Sequence, residues 1–435
     1  MSVNPAEPRP RYKPYRQYKD SGVEWMGEIP AGWDIVTFRR LIDRIEQGWS
    51  PVADDRIAGP DEWAVIKLSA VSKGRFVGDE HKALPAELAP DRRYEIREGD
   101  FLLTRANTPE LVGDACVARG VRRGLMLCDL VYRLHLATDR VVPDYLSYWL
   151  LSRAGRHQIE VDARGSSQSM VKISQGLIRA WTVVLAPRND QDSIATFLDR
   201  ETARIDGLVA KKKRLIELLQ EKRSALITRA VTKGLDPNVP MKDSGVEWLG
   251  EIPAHWTAKH LRWAIMFQRG HDLPTDEREE GEIPVVSSSG ISSRHSRAVA
   301  KAPGIVTGRY GTIGHFHLIL QDYWPLNTTL YSVDLRGNSP PFLRYMLTNL
   351  SPLFLLNAVK SAVPGVDRND IHPTRTAVPP LSEQHAIADF LDAKCAEIDS
   401  LIAKVRTAID RLRELRTALI SAAVTGKIDV RQESP

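Results

Sequence analysis

Apolar residues recur every three or four positions along two long stretches that contain no proline, 191–230 and 381–430. In the later stretch Ile398, Leu401, Val405, Ala408, Leu412, Leu415 and Leu419 alternate spacings of 3 and 4. That is the seam of two paired helices. The earlier stretch repeats it with Ile205, Leu208, Lys212, Leu215, Leu219, Lys222 and Leu226, so lysine interrupts the seam twice. Gly234 and Pro237 follow in the order expected after a helix end. About 40 helical residues would make a rod of ~60 Å. The matched lengths favour pairing of the two helices with each other, antiparallel, because the chain passes from the end of the first directly into new sequence.

Between these stretches the pattern changes to short apolar runs bounded by turns. In 34–190, Trp63–Leu68, Phe101–Thr104, Val112–Val117 and Leu127–Leu136 predict strands and Pro143–Ile159 a helix. In 257–380, Ile283–Ser287, Ile305–Thr307, His315–Leu320 and Thr329–Leu335 predict strands and Pro341–Leu356 a helix. The order is similar in both regions.

The chain is written twice. DSGVEWMGEIPAGW at 20–33 returns as DSGVEWLGEIPAHW at 243–256, with twelve of fourteen positions identical. IATFLDRETARIDGLVA at 194–210 returns as IADFLDAKCAEIDSLIA at 387–403. Each half is an opening motif rich in Trp and Pro, a variable region and a long helix. The frames agree while the variable regions align poorly. Such a scaffold suits two different recognition surfaces. The fold class is α/β (α+β): two mixed α/β domains joined by two long helices forming an antiparallel coiled coil, related by a pseudo-two-fold. The expected boundaries are a basic arm at 1–19, a first domain at 20–190, a helical spacer at 191–234, a second domain at 235–380 and a second spacer at 381–430.

Composition narrows the class. Of 435 residues, 43% are hydrophobic and 26% charged, which excludes fibrous and wholly disordered chains. The net charge of +5 permits a polyanion partner. The basic charge concentrates in the first helix, where 200–233 holds ten Lys and Arg against four acids. The run Lys211 to Arg214 is either a solvated face or one turned to phosphates or a partner protein. Three scattered cysteines fit a reducing cytosol and argue against a disulfide framework. No apolar run is long enough to span a membrane, so a cytoplasmic location is expected.

The strand ends carry the candidate chemistry. Arg105 and Asn107 follow one strand, and Arg309, Tyr310 and Thr312 follow its counterpart. Arginine reads guanine and asparagine reads adenine in the major groove. A second loop before each long helix holds Arg164, Gln168, Ser169 and Lys172 in the first half, and Lys360, Arg368 and Asn369 in the second. Glycine, serine and a basic residue suit close approach to phosphate, and suit an ordinary turn equally.

Catalytic signatures are missing. The sequence has no GxxxxGK[ST], HExxH or GxSxG. Ser339 to Phe342 reads SPPF, like the motif with which amino-methyltransferases hold a flipped base, but no glycine-rich cofactor loop precedes it. A helix start with proline explains it as well. His315 and His317 alternate as on a strand, with no third ligand nearby.

Together the doubled DSGVEWxGEIPAxW, Val378 to Gln384 (VPPLSEQ) before Ile387 to Leu391 (IADFL), and the two long helices resemble the specificity subunit of type I restriction-modification systems over nearly the whole chain beyond residue 18. The resemblance implies two target recognition domains, each reading half of a split site on double-stranded DNA. It implies a coiled coil that sets their spacing and holds two methyltransferase subunits, which restriction-translocase subunits join. It implies that this chain binds no cofactor, since S-adenosylmethionine, ATP and Mg would be used by the partners, and that it has no active site. The first copy departs from the second: LAPRNDQ at 185–191 stands against PPLSEQ at 379–384. The two ends are therefore expected to bind their methyltransferases unequally. The competing readings are an adenine methyltransferase using Ser339 to Phe342, and a coiled-coil structural protein without a DNA role.

Overall fold

The computed structural model describes residues 12–167, 170–358 and 365–431. The chain divides into two compact units, one of residues up to Lys211 with Ala408 onward, the other Lys212–Thr407. The long helices, Arg188–Lys233 and Leu381–Val424, are each divided between the units. The boundaries expected from sequence placed each helix in a domain of its own.

In the first unit an antiparallel sheet orders the strands Ala115–Val117, Phe101–Thr104, Val131–Leu136 and Ile42–Gln47. Successive side chains of a strand point to opposite faces, and both faces here are covered. Phe101 and Leu103 pack with Tyr145, Leu146 and Trp149 of the helix Pro143–Leu151. Leu102 and Cys116 pack on the other side with Ala64, Val65 and Leu125. That is why this strand reads as an unbroken apolar run. The single helix expected over 143–159 is two, broken at Ser152. The Ser152 hydroxyl donates to the Trp149 carbonyl at 2.6 Å and accepts from the Gly155 amide at 3.1 Å. A Cβ on Gly155 would lie 2.3 Å from the Trp149 carbonyl oxygen, so the tight break admits only glycine there.

The second unit builds the same layers from different side chains. Its sheet orders Met266–Arg269, Thr329–Asp334, Gly304–Gly308 and Phe316–Ile319. Ile305 and Leu330 face the helix Pro340–Ala358, and Val306 and Tyr331 face Val286 and Tyr323. In both units a second, three-stranded sheet contains one parallel pair, Leu125–Met126 on Ala64–Val65 and Trp324–Pro325 on Val285–Val286.

The opening motifs form hairpins, Tyr18–Asp20 on Glu28–Pro30 and Met241–Asp243 on Glu251–Pro253. Each receives the end of a long helix. Gly234 and Gly426, both at positive φ, end the helices against Trp256 and Trp33. In the second unit the polypeptide runs on from Gly234 into its hairpin. In the first, the two chain ends do the joining: the Asp429 amide donates to the Lys13 carbonyl at 2.7 Å, and Tyr18 Oη donates to the Gly426 carbonyl at 2.9 Å. Tyr15 is buried in this joint, so residues 12–19 of the expected basic arm belong to the folded unit.

The long helices pair antiparallel within each unit. In the first, Arg416 meets Asp206 at 3.3 Å, and Ile205 shares a core with Leu419 and Ile420. In the second, Arg223 meets Asp399 at 3.8 Å, and Ile227 shares a core with Leu391 and Cys395. Half of the seam differs from the sequence reading. Ile205, Lys212, Leu219, Leu226, Ile398, Val405, Leu412 and Leu419 are buried or half-buried. Leu208, Leu215, Leu401 and Leu415 are exposed, as is Lys222. The second stripe runs one residue later, through Val209, Ile216, Arg223, Ile402, Ile409 and Arg416. Both choices alternate 3 and 4, and the arginines disguised the one that is used. Only Lys212 remains a lysine in the seam.

Candidate nucleic-acid interface

The loops selected from sequence come together in each unit. In the first, Ala106–Asn107 pairs with Met170–Lys172, which pairs with Arg164–Ser167. The Arg105 amide donates to the Leu130 carbonyl at 2.8 Å, and its carbonyl accepts from the Ile173 amide at 2.9 Å. In the second, the Arg309 amide donates to the Thr328 carbonyl at 2.8 Å, and its carbonyl accepts from the Val366 amide at 2.9 Å. Arg105 and Arg309 therefore occupy one position of one frame, fixed by backbone bonds that ignore side-chain identity.

The side chains differ. Arg105 donates through Nη1 to the Asp129 carbonyl at 3.2 Å and lies 6.0 Å over the Tyr132 ring. Arg309 lies 5.0 Å over the half-exposed Tyr310 ring, with Nε 3.9 Å from the Asp367 carboxylate. Each guanidinium has five donors, so both keep donors beyond these contacts. Asn107 Oδ1 accepts from the Thr108 amide at 2.9 Å, which fixes its rotamer. Thr312 donates to the Ser288 carbonyl. Lys172, Arg368 and Asn369 are exposed. Arg164 is placed on its strand by its backbone alone, and Gln168, Ser169 and Lys360 lie outside the described residues.

Asp367 organises the second cluster. Its carboxylate accepts from the Asn369 amide at 3.0 Å, and its own amide donates to Asp370 at 2.7 Å, a capping box on the short helix Arg368–Ile371. His372 ends that turn. Its Nε2 accepts from the Phe267 amide at 3.0 Å, which requires the neutral ring. Burial holds its pKa below the ordinary histidine value, and nearby Arg368 adds to the shift.

Sequence reasoning missed three features. One is Asp367. Another is the serine-rich loop at 287–289, which packs beside 308–312 and shows in sequence only as SSSG. The third is the joint beneath the interface. Gln191 is buried at the start of the first long helix. It accepts from the Val142 amide at 2.8 Å and donates to the carbonyls of Ala186 at 2.8 Å and Arg140 at 3.2 Å. Gln384 does the same: it accepts from the Ser339 amide at 2.8 Å and donates to the Pro379 carbonyl at 2.9 Å and to Asn338 Oδ1 at 2.7 Å. Each long helix is thus bolted to the start of a recognition-fold helix. A tyrosine on each such helix reinforces the joint, Tyr148 donating to Asp199 at 2.7 Å and Tyr345 to Asp392 at 2.6 Å.

The methyltransferase-like SPPF segment is part of that joint. Ser339 is bonded to Gln384, and Phe342 has 0% exposure in the core beneath the sheet. Its ring cannot stack on a base while the helix start is folded. Among the described residues no three His, Cys, Asp or Glu side chains are grouped to hold a metal ion, and no helix is long and apolar enough to cross a membrane.

Two α/β units, each with an arginine-bearing loop cluster over a helix joint, define a duplicated α/β protein. Residues 266–410 match the family described as the type I restriction modification DNA specificity domain. The EcoEI specificity subunit of Escherichia coli is 32% identical over 161 residues, which are 37% of this chain and 27% of that one. The putative MjaX specificity subunit of Methanocaldococcus jannaschii is 22% identical over 93% of this chain and 96% of its own length. A chain solved in work on complex assembly of the type I R-M system superposes with a TM-score of 0.68 at 15% identity, covering 92% of this chain and 99% of that one. The HsdS subunit from Thermoanaerobacter tengcongensis gives a TM-score of 0.51 at 16% identity, over 92% and 98%. The two structures share the fold. Residues 266–410 thus match that domain family, and the chain as a whole is similar to type I restriction enzyme specificity subunits.

Proposed function

We propose that this chain is the DNA-recognition subunit of a type I restriction-modification complex. Each unit reads half of a two-part, asymmetric site on double-stranded DNA. The first reads through Arg105, Asn107 and Lys172, the second through Arg309, Tyr310, Thr312, Arg368 and Asn369. Adenine N6-methylation and cleavage belong to methyltransferase and restriction subunits bound to it, which use S-adenosylmethionine, ATP and Mg. The chain itself carries no chemistry.

The observation that carries this reading is the shared backbone frame of Arg105 and Arg309 beneath unlike side chains. The frame holds an arginine on the same two backbone bonds in each copy and surrounds it with a different exposed polar set, as two readers of unlike half-sites require. The buried Phe342 weighs against the methyltransferase reading.

The test is modification-resolved sequencing of host DNA with the gene intact, deleted, or carrying Arg309→Ala with Arg368→Ala. Deletion should erase N6-methyladenine at one two-part motif. The double variant should relax one half of that motif and leave the other half as it was. A motif unchanged by deletion, or relaxed equally in both halves by the variant, would overturn the reading.

A further inference from the structure

Each unit brings a second strand end to the place from which Arg105 or Arg309 leaves its sheet. In the first, the strand Ile42–Gln47 ends with Gln47 opposite Tyr132, and Tyr132 lies opposite Leu103, two residues before Arg105. In the second, Met266–Arg269 ends with Arg269 opposite Leu330, and Leu330 lies opposite Thr307, two residues before Arg309. Residues directly opposite each other share a sheet face. Gln47 therefore stands beside Tyr132, whose ring lies under the Arg105 guanidinium. Arg269 holds the same register position in its own sheet.

The backbone makes the two positions equivalent. Each precedes a glycine, Gly48 or Gly270, and a Cβ added there would run into the carbonyl oxygen of Cys128 or Leu326. The next amide donates to the segment that also holds the arginine: Trp49 to the Leu127 carbonyl at 3.1 Å, and His271 to the Pro325 carbonyl at 2.8 Å. These bonds fix the strand end whatever side chain it carries.

An exposed polar residue at a strand end is ordinary. What sets these two apart is that they are left open where their neighbours are not. Both are exposed, and neither side chain has a hydrogen bond or ion pair among the described residues. On the opposite face of the same first-unit strand, Glu46 pairs with Arg44 and Arg133. In the second unit Asp272, the acid nearest Arg269 in sequence, accepts from Asn327. The two side chains also differ in what they can read. The glutamine amide, with one acceptor and a donor in a plane, fits N7 and N6 of adenine, and the arginine fork fits O6 and N7 of guanine.

We propose that Gln47 and Arg269 are further base-reading residues, Gln47 specifying an adenine in the half-site of the first unit and Arg269 a guanine in that of the second. The proposal rests on the function proposed above and deepens it, assigning the base read at one position of each half.

The full chain is assembled with its methyltransferase subunits and assayed on duplexes in which each base pair of the wild-type motif is varied in turn. Relative methylation rates give the preference at every position. Arg269→Gln should cut the preference for guanine at one base pair by roughly 5- to 150-fold, the worth of one bidentate pair. That base pair should fall in the half relaxed by Arg309→Ala with Arg368→Ala, and the other half should stay as it was. Gln47→Arg should cut the preference for adenine at one base pair of the other half by a similar factor. Arg269→Lys keeps the charge without the fork and should lose the guanine preference too. Unfolding midpoints should stay at the wild-type value, because the replaced side chains are exposed. Wild-type preferences at every position in Arg269→Gln and Gln47→Arg would overturn the assignment. So would a loss of methylation spread evenly over all sequences, with the salt dependence of binding lowered by about one charge, the mark of a phosphate contact. Either result leaves the proposed function intact, provided that the wild-type complex methylates a two-part motif. A wild-type complex that methylates none would overturn the proposed function, and this assignment with it.

Discussion

Replacing Gln384 with leucine keeps the volume of a buried side chain and removes three hydrogen bonds. Their partners would not fare alike. Asn338 is half-buried and can turn to water. The Ser339 amide and the Pro379 carbonyl are buried and would be left without partners. Each buried orphan costs roughly 1–3 kcal/mol, so the joint should lose about 2–6 kcal/mol. The loss should be local. Hydrogen exchange read by mass spectrometry should show the amides of Ser339 and 342–345 opening at least about 30-fold faster, since 1.4 kcal/mol is a factor of ~10. Gln191→Leu should do the same to 142–148, because Val142 and Ala186 lose the equivalent bonds. In each variant the other unit should exchange as in wild type. Gln384→Glu keeps the acceptor for Ser339 but sets a buried carboxylate against the Pro379 carbonyl, and should open the joint at least as much. Exchange within about 3-fold of wild type at Ser339 and 342–345 in Gln384→Leu would refute the idea that this glutamine holds the helix joint.

The seam makes a sharper test of register: Ile402→Ala should cost about 2–4 kcal/mol in denaturant unfolding, while the neighbouring Leu401→Ala should cost under about 1 kcal/mol, and the reverse order would restore the sequence-derived stripe. Trp256 Nε1 donates to Glu383 at 3.0 Å, whereas Trp33 Nε1 has no hydrogen-bond partner among the described residues, and the position before the buried glutamine that is Glu383 in the second copy is the shorter Asp190 in the first. Asp190→Glu should therefore stabilise by about 1 kcal/mol, and a loss of stability would count against that geometry. His372 has a folded pKa below its unfolded one, so its contribution is fully present above the unfolded value of about 6.5 and declines as pH falls below it. The opening of the Phe267 amide, read as its exchange rate divided by the intrinsic rate, should increase from pH 7.5 to pH 5, and His372→Gln should abolish that increase.

Much of the fold was legible because strands and helices announce themselves by period, and because the chain states its frame twice. Ile283–Ser287 falls where the alternation put it. The seam was half legible for a physical reason. Stripes at +3 and +4 from Ile398 satisfy the same alternation, and leucine at 401 and 415 made the wrong one look richer. Arg416 occupies the stripe that is used because Asp206 neutralises it across the helix pair, a partner no local pattern reveals. Gln191 and Gln384 were invisible in a similar way. A polar residue in the first turn of an amphipathic helix normally faces water. These turn inward because two other segments bring them a donor and two acceptors, and that is tertiary information. At the candidate interface the sequence named both loops, but not that strand pairing would draw 106–107 and 170–172 into one sheet, nor that Asp367 would lie 3.9 Å from Arg309.

The separation of frame from filling has an energetic basis. What fixes Arg105 and Arg309 in space is main-chain bonding to the neighbouring strand end and to the loop before the long helix. Main-chain bonds carry no requirement on the side chain. Beneath them, each recognition-fold helix is held to a long helix by a buried glutamine and a tyrosine–aspartate pair that recur in both units. Substitution in the exposed loops therefore leaves the joint's buried polar groups satisfied and costs little stability, since surface changes away from such features are usually within about 0.5 kcal/mol. Substitution in the joint costs several times that. A scaffold built in this way can change what it reads while keeping how it is assembled. The two units show the outcome within one chain: Tyr310 and Asp367 flank one arginine, Tyr132 and the Asp129 carbonyl the other, on backbones bonded alike.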